Sequence, residues 1–338
     1  MASDSESKSQ TAGSKSPGHP VSTAAGARGR RVLIVGGLGY VGSRLAHALS
    51  AEASVTVSSR SLSPAREAWV KAHSGRVSRV EFDSATQDRL PVEGEFDCIV
   101  NAAGPGASEA ARDEGRALGS ALRTVRACSQ LTAESAGTRL VHFSTFHIYG
   151  AHDRERFSEE DKPEPVHPYG RINLQCEKAA LAAGGAVLRP TNVVGAPAHN
   201  DFGAQSGLVF LDLCRQAVFD HRIRLRTNGV AYRDFVPMAD AIEAVKVLIS
   251  GDTDRAFQIF NLSSGRAVRL DMLALEIQSE AQEMLGREIP VEKGSELDRF
   301  ADPFEVTNDR LRSLGWQLRG SLREDIRETL QFFVESAR

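Results

Sequence analysis

One glycine-rich run constrains the fold of this chain more than any other feature. Val32–Val35 is a short apolar run rich in β-branched residues, which predicts a strand buried on both faces. Gly36–Gly42, with the sequence GGLGYVG, follows at once, and Val41, Leu45 and Leu49 then recur at helical spacing. A strand, a glycine turn and a helix in this order predict the first unit of a helix-covered parallel sheet.

The spacing of three glycines in this run indicates a dinucleotide site. Gly36 permits a tight turn, Gly39 lets the backbone approach a pyrophosphate, and Gly42 lets the helix pack closely on the strand. The helix N-terminus then faces the phosphates. Glycine turns also occur in ordinary loops, but the flanking strand and helix favour the nucleotide interpretation. Cofactor contacts are therefore predicted for Gly36, Leu38, Gly39, Tyr40, Val41 and Gly42.

Strands and helices continue to alternate along the first half of the chain. Apolar periodicity predicts strands at 54–58, 77–82, 98–100, 140–143 and 186–188, and helices at 41–49, 112–131 and 169–183. Such alternation is typical of a doubly wound parallel α/β sheet, the Rossmann fold. We assign residues 30–190 to this domain.

The remainder of the chain divides into a tail and a smaller C-terminal part. Residues 1–29 are rich in Ser, Gly, Ala and Lys, and they predict a disordered tail. Residues 191–338 have longer loops, with helices expected at 208–218, 239–249 and 270–285. We expect this region to bind the substrate, with some of its segments returning to the Rossmann sheet.

Composition excludes several classes of function. The 338 residues are 41% hydrophobic and carry a net charge of −3, so there is no broad basic field for nucleic acid. No apolar stretch of about 20 residues is present to span a membrane. The four cysteines lie far apart without a CxxC pair, which predicts neither a zinc site nor a disulfide framework. A cytoplasmic protein without a bound metal is expected.

The end of the second strand bears on the choice of dinucleotide. NAD sites usually place an acidic residue there to bind the adenosine ribose, whereas this chain has Ser58, Ser59 and Arg60. Hydroxyls and a guanidinium suit a 2′-phosphate, so NADP is favoured over NAD. The alternative is that Arg60 is a solvated loop residue.

Two further strand ends are expected to contact the cofactor. Asp83 and Ser84 close the third strand, where they can reach the adenine amino group. Ala102, Ala103 and Gly104 close the fourth, where small residues let the cofactor lie against the backbone.

Later motifs point to a known family. The motifs are Phe143–Gly150 (FSTFHIYG), Pro168–Asn173 (PYGRIN), Leu188–Gly195 (LRPTNVVG), Arg233–Val236 (RDFV), Asn261–Gly265 (NLSSG) and Leu314–Trp316 (LGW). Together with the glycine turn they resemble the extended short-chain dehydrogenase/reductase family, which contains nucleotide-sugar epimerases, dehydratases and reductases. The resemblance runs from about Arg30 to the C-terminus.

The resemblance implies a catalytic pair. In the family a Tyr acts as acid/base on the sugar oxygen and a Ser or Thr hydrogen-bonds the same atom, which implies Tyr169 and Thr145 here. The family has a Lys four residues after the Tyr, which lowers the phenol pKa and binds the nicotinamide ribose; this chain has Asn173. Asn173 can bind the ribose but brings no charge. The absence of the lysine charge impairs a reductase least, because a neutral phenol already carries the proton that it donates.

His147 is the second departure from the family pattern. Family dehydratases have an Asp-Glu pair where this chain has Phe146 and His147, so dehydration is disfavoured. In GDP-fucose synthase-like members a Cys acid/base occupies the position of His147. A His titrating near neutrality could move protons there. The alternative is a polar residue that only lines the pocket.

Four other residues are implied at the substrate end of the site. Arg233 and Asn192 resemble the family's ligands for the nucleotide diphosphate. Ser144, with Thr145, is expected to contact the substrate, and Pro190 to pack near the nicotinamide. Arg233 could instead form a surface ion pair with Asp234, and Ser144 and Thr145 could be ordinary strand-end hydroxyls.

The sequence therefore favours an NADP-linked oxidoreductase that reduces a nucleotide-activated keto-sugar. A nucleotide-sugar epimerase working through a keto intermediate is one alternative, and a catalytically silent NADP-binding sensor or scaffold is another. The helices at 112–131 and 169–183 resemble the pair that forms a homodimer interface in the family, although their apolar stripes could equally face the sheet.

Overall fold

The computed structural model describes residues 29–150, 154–201, 207–250, 257–298 and 301–337. The tail predicted at residues 1–29 lies outside the described residues, except for its last position. Within these ranges, no helix is long and apolar enough to cross a membrane.

The described elements alternate as the sequence predicts. The strands are β1 Arg30–Val35, β2 Ala53–Ser59, β3 Val77–Glu81, β4 Cys98–Asn101, β5 Arg139–Phe143, β6 Arg156–Phe157, β7 Ala186–Pro190, β8 Asn192–Val194, β9 Ile223–Arg224, β10 Tyr232–Pro237, β11 Ile259–Leu262, β12 Ala267–Arg269, β13 Val291–Glu292 and β14 Glu305–Val306. The α-helices are α1 Tyr40–Leu49, α2 Pro64–Ala72, α3 Ala107–Arg112, α4 Glu114–Glu134, α5 Pro168–Ala182, α6 Val209–Arg215, α7 Met238–Ser250, α8 Leu270–Leu285, α9 Asp309–Ser313 and α10 Leu322–Ser336.

A seven-stranded parallel sheet forms the centre of the fold. Its strand order is β11-β7-β5-β4-β1-β2-β3, and every neighbouring pair is parallel. Strand β1 lies between β2 and β4, with Val32 to Val35 at most 1% exposed. Helices cover both faces of such a sheet, which is why its central strands are apolar throughout. The predicted doubly wound α/β fold is confirmed.

The last strand of the sheet comes from the C-terminal part of the chain. Strand β11 pairs with β7, so Ile259 lies opposite Val187 and Leu262 opposite Pro190. Helix α7 packs in the same core, where Ala241, Val245 and Leu248 are fully buried beside residues of β1 and α1. The sheet therefore draws on residues from both sides of position 190.

The rest of the C-terminal part builds a second core beside the sheet. Helices α6, α8 and α10 bury Phe210, Ile277 and Leu330 together. Strands β8, β10 and β12 form a small sheet, in which β8 and β10 are parallel. This places β8 and β10 next to the carboxyl end of β7, where a doubly wound fold binds its ligands.

Two expected helices differ from the structure. The helix expected from residue 112 to 131 is wrong at its start, because α3 ends at Arg112 and α4 begins after Asp113. The Asp113 carboxylate accepts from the Arg116 backbone N–H at 3.0 Å and caps α4, which forces a corner. The helix expected at 208–218 is regular only to Arg215, and a wider π-type turn follows to residue 220.

Candidate active site

The glycine turn brings three stretches of backbone into close contact. Gly36 has φ +76°, a conformation that favours glycine, and a Cβ on it would lie 2.8 Å from Ala103 Cα. A Cβ on Gly42 would lie 2.3 Å from the Gly36 carbonyl oxygen. Gly39 precedes α1 and provides no side-chain cap, so the helix N–H groups have no side-chain acceptor from this residue. This cradle fits the pyrophosphate of a dinucleotide.

A cavity of about 300 Å³ opens beside this turn, at the ends of β2 and β4. It lies where the adenosine half of a dinucleotide is expected in this fold. Most residues predicted to bind the cofactor line it: Gly36, Leu38, Gly39, Ser58, Ser59, Arg60, Ser84, Ala102, Ala103 and Gly104. The structure thus gathers residues from four separate strand ends.

Two arginines line this cavity, of which the sequence indicated one. Arg60 follows β2 and is exposed. Arg66 lies in the first turn of α2, where the Ser63 hydroxyl accepts from its backbone N–H, and its side chain pairs with Asp201 at 2.8 Å. The Ser63–Pro64 helix start is a sequence signal that could have placed Arg66 near Arg60. The Ser59 hydroxyl already accepts from Arg79 at 2.9 Å.

Of the two residues predicted to bind the cofactor at the end of β3, one lines this cavity and the other does not. Ser84 lines the cavity, and its hydroxyl lies 2.7 Å from that of Ser120. Asp83 does not line it; its carboxylate accepts from the Ala85 backbone N–H at 2.9 Å and closes a local turn. An adenine contact by Asp83 therefore stays a prediction.

A second cavity of about 940 Å³, here called the main cleft, lies at the carboxyl ends of β4, β5, β7 and β8. It shares Arg60 and Ala102–Gly104 with the first cavity. It brings together ten further predicted site residues: Tyr40, Val41, Ser144, Thr145, His147, Tyr169, Asn173, Pro190, Asn192 and Arg233. Gly42, which is buried in α1, lines neither cavity. Because the two cavities share Arg60 and Ala102–Gly104, a dinucleotide that binds in the first cavity can extend into the main cleft and lie beside a second ligand there.

The predicted catalytic pair meets in the main cleft. Tyr169 lies in the first turn of α5, Thr145 lies two residues after the end of β5, and both side chains line the main cleft. Burial raises the pKa of the Tyr169 phenol, and the interaction with the Thr145 hydroxyl lowers it in part. Tyr169 is therefore a neutral phenol at pH 7, able to donate a proton.

Asn173 lies one helical turn after Tyr169 and faces the same side of α5. Its Nδ2 donates to the Tyr169 carbonyl oxygen at 2.8 Å, and the side chain is 7% exposed. Asn173 is also one of the residues that line the main cleft. Lys178 is exposed and does not line the cleft. Position 173 thus brings an amide but no charge to the phenol.

His147 is not the near-neutral titrating group that the sequence suggested. Burial, together with the positive charges of Arg233 and His167, lowers the pKa of its imidazole to about 4. The imidazole is therefore neutral at pH 7 and accepts a proton poorly. Its ring packs edge-on against the Tyr169 ring at 5.8 Å, and its backbone N–H donates to the Thr145 hydroxyl at 3.3 Å.

Arg233 and Asn192, predicted to bind the substrate, line the main cleft from the adjacent strands β10 and β8. Asn192 Nδ2 donates to the Asp234 carbonyl at 2.8 Å, and Arg233 Nη1 donates to the Tyr232 carbonyl at 2.7 Å. Burial lowers the pKa of the Arg233 guanidinium, which still leaves it charged. The alternative ion pair with Asp234 is wrong, because that carboxylate is buried and accepts from Thr191 and Ser264 instead.

The cleft also contains charged residues that the sequence did not indicate. Glu109, Arg112, Asp113 and Arg116 line it from the corner between α3 and α4. Recognising Asp113 as a helix cap would have placed this corner at the cleft. Within the ranges described above, no group of three or more His, Cys, Asp or Glu residues could hold a metal ion.

Comparison with known proteins identifies the class to which this fold and cleft belong. The family model described as NAD dependent epimerase/dehydratase family matches residues 32–263. The chain belongs to this family, of the extended short-chain dehydrogenase/reductase type, as its motifs predicted.

Three individual proteins show which members of the family this chain is similar to. The chain is 31% identical over 313 residues to a dTDP-6-deoxy-L-talose 4-dehydrogenase (NAD(P)(+)) of Kitasatospora kifunensis, covering 88% of this chain and 94% of that protein. It is 26% identical to a UDP-glucose 4-epimerase of Azospirillum brasilense, covering 85% of this chain and 86% of that protein. The solved UDP-glucuronic acid 4-epimerase of Bacillus cereus, in complex with UDP-glucuronic acid and NAD, has the same fold at a TM-score of 0.75 and 18% identity, covering 90% and 99% of the two chains.

Proposed function

We propose that this chain is an NADP-linked oxidoreductase that reduces the keto group of a nucleotide-activated sugar. The observation that carries this proposal is the placement of Tyr169 and Thr145 together in the main cleft, with a neutral phenol and an uncharged residue at position 173. The relatives named as a 4-dehydrogenase and a 4-epimerase support position 4 of the sugar as the reacting carbon.

The residues of the cleft account for the steps of this reaction. When bound, the reduced nicotinamide supplies a hydride to the carbonyl carbon. Thr145 holds the carbonyl oxygen by a hydrogen bond, and Tyr169 gives that oxygen its proton, so that the C=O becomes CH–OH. Arg233 and Asn192 bind the diphosphate of the nucleotide, since one supplies a charged fork and the other an amide donor. The sugar is thereby held over the phenol.

Spectrophotometry of the reduced cofactor tests the proposal directly. The protein is incubated with NADPH and dTDP- or UDP-linked 4-keto-hexoses, and absorbance at the nicotinamide band is followed. We expect a fall in absorbance that matches the hydroxy-sugar formed mole for mole. Tight NADPH binding without turnover on any member of the panel would contradict the proposal and favour the silent sensor or scaffold.

An epimerase is the second candidate, because several relatives carry that name. It would convert a nucleotide hexose to its 4-epimer with no net change in cofactor. Phenolate formation is harder here, since the pKa of Tyr169 is raised by burial and position 173 is uncharged. Incubation of UDP-glucose with catalytic NAD, followed by sugar analysis, separates the two candidates.

The cofactor preference is proposed from the end of β2. Arg60 and Arg66 line the cavity there, and the sequence has no carboxylate between Ser58 and Ser61. The solved Bacillus cereus relative contains NAD, whereas the 31% identical relative is named for both cofactors. The NADP preference of this chain therefore depends on its own arginines rather than on its relatives.

Replacing Arg60 tests this preference. We expect Arg60→Ala to raise the dissociation constant for NADPH by about 10- to 100-fold, because a hydrogen bond to a charged group is worth about 1.5–3 kcal/mol. Binding of NADH, which has no 2′-phosphate, should change by less than about twofold. Isothermal titration with both cofactors measures the effect, and Arg76→Ala, an exposed arginine outside both cavities, is the matched control. Equal losses for both cofactors would contradict the preference.

Adding the absent charge tests the role of position 173. In Asn173→Lys, the cation lies near the phenol and favours its ionised form, so the pKa of Tyr169 should fall. The rate of sugar oxidation, which needs the phenolate, should then reach its plateau at a correspondingly lower pH. Asn173→Gln extends the side chain without charge and should leave this midpoint in place. An unchanged profile in the lysine variant would show that the charge has little influence.

Two further expectations belong to this proposal. We place the activity in the reducing cytoplasm, in keeping with four cysteines that are all buried and free.

The homodimer expected through α4 and α5 stays a prediction. The apolar side chains of these helices, such as Ala121, Cys128 and Ile172, pack against the sheet, with Leu118 and Leu122 only partly buried. Light scattering of the purified protein measures whether the mass is that of one chain or two.

A further inference from the structure

An ion pair is buried directly behind the catalytic hydroxyls. Arg189 of β7 donates from Nε and Nη2 to the two carboxylate oxygens of Glu177 in α5, at 2.9 and 2.8 Å. Both residues are at most 2% exposed. Arg189 also donates from Nη1 to the Tyr149 hydroxyl at 2.9 Å, and that hydroxyl donates to Asn261 at 2.7 Å. The guanidinium is thus held from two sides.

The Glu177 carboxylate accepts a third hydrogen bond, from the hydroxyl of Ser144. Ser144 is the residue before Thr145, and its backbone N–H donates to the Leu188 carbonyl at 2.8 Å. Ser144 was expected to bind substrate, but its hydroxyl proton is committed to Glu177. One carboxylate therefore connects the end of β5, the end of β7 and helix α5.

Those three elements carry the groups that must meet in the reaction. Glu177 lies two helical turns after Tyr169, on the same face of α5, with Asn173 between them. Thr145 follows Ser144, and Pro190, which lines the main cleft, follows Arg189. A change in any of the three bonds to Glu177 would move one reacting hydroxyl relative to the other.

Stability alone does not explain a pair of this kind. Desolvation of two charges offsets much of their attraction, and apolar pairs of similar volume often stabilise a protein equally well. A fixed polar network instead specifies one arrangement of the elements it joins. We propose that Glu177 is a positioning residue, which holds the Thr145 and Tyr169 side chains in place relative to each other through Ser144 and Arg189. This positioning role adds to the proposed keto-sugar reduction, and the kinetic test of the role rests on that reaction.

Two variants test the positioning of the catalytic side chains separately from the stability of the protein. Ser144→Ala removes the link to β5, and the double variant Glu177→Leu/Arg189→Met replaces the ion pair by apolar side chains. We expect both to keep the parent melting temperature within a few degrees and the KM within about threefold. The kcat should fall by about 10-fold in Ser144→Ala and about 100-fold in the double variant, since misplacement by about 1 Å has effects of this size. Ser129→Ala removes a half-buried hydroxyl in α4 that donates to the Val125 carbonyl, and it should leave kcat unchanged.

A second readout needs no substrate and therefore does not depend on the proposed activity. The chain has four tyrosines, so ¹³Cζ-tyrosine labelling gives four resonances, of which Tyr169→Phe identifies one. Because the interaction with Thr145 lowers the pKa of Tyr169, weakening it in Ser144→Ala should shift this resonance and raise its titration midpoint. An unmoved resonance and a kcat within twofold of the parent would overturn the positioning role. A parent enzyme without turnover, but with a shifted resonance in Ser144→Ala, would overturn only the proposed reaction.

Discussion

Tyr169→Phe is expected to lower kcat for keto-sugar reduction by about 10²- to 10⁴-fold, the usual contribution of a positioned general acid. The phenol is the proton donor of the proposed reaction, and phenylalanine keeps the ring while removing only the oxygen. The aromatic contact with His147 at 5.8 Å should therefore survive. NADPH affinity should stay within about threefold of the parent value.

The control for this variant is another tyrosine of the chain. Tyr232 lies in β10 and does not line the main cleft, so Tyr232→Phe tests the effect of losing a phenol oxygen elsewhere. Stopped-flow measurement of NADPH oxidation gives kcat for both variants under saturating sugar. A Tyr169→Phe enzyme as fast as the parent would show that the proton comes from another group, and the assignment of this cleft would have to be abandoned.

Local sequence signals were sufficient for the parts of the site that lie in one stretch of chain. The turn from Gly36 to Gly42 is readable because strand, glycines and helix are contiguous, and each glycine has a steric reason to be there. Tyr169 and Thr145 were assigned through the family resemblance, and the structure brings both side chains into the main cleft.

The features that escaped prediction depend on contacts between distant segments. Glu177 bonds Ser144 across 33 positions, and no local pattern in α5 reveals a carboxylate turned inward to a strand end. The pKa of His147 is lowered chiefly by burial, which arises only when the turn after β5 packs under the C-terminal part. Asp113 was readable as a helix cap, but continuous apolar spacing on either side of it concealed the corner.

The second large effect is expected at Gly42, which lies inside α1 against the glycine turn. In Gly42→Ala the new Cβ would sit 2.3 Å from the Gly36 carbonyl oxygen and 2.9 Å from Gly37 Cα. Both neighbours are backbone atoms, so the strain cannot be relieved by a side-chain rotation. The start of α1 must move away from β1, and with it the N–H groups that face the phosphates.

We expect Gly42→Ala to destabilise the fold by about 1–3 kcal/mol, the usual range for overpacking. The dissociation constant for NADPH should rise by about 100-fold, because losing one or two charge-assisted hydrogen bonds removes about 3 kcal/mol. Thermal denaturation and calorimetric titration measure the two effects. The opposite change in stability is expected for a Gly→Ala substitution at Gly119 in α4. A new Cβ there would lie 3.7 Å from Arg123 Nη1, which is an ordinary contact.

Gly119→Ala should stabilise the protein by about 0.5–1 kcal/mol, since alanine loses less backbone freedom in a helix than glycine does. The same chemical change therefore has opposite expected effects in two helices, and only the contact with the glycine turn distinguishes them. If both variants were stabilised and bound NADPH like the parent, the close approach of α1 to β1 would be absent in solution. The phosphates would then have to be bound by another part of the chain, and the cofactor could not lie across the two cavities as proposed.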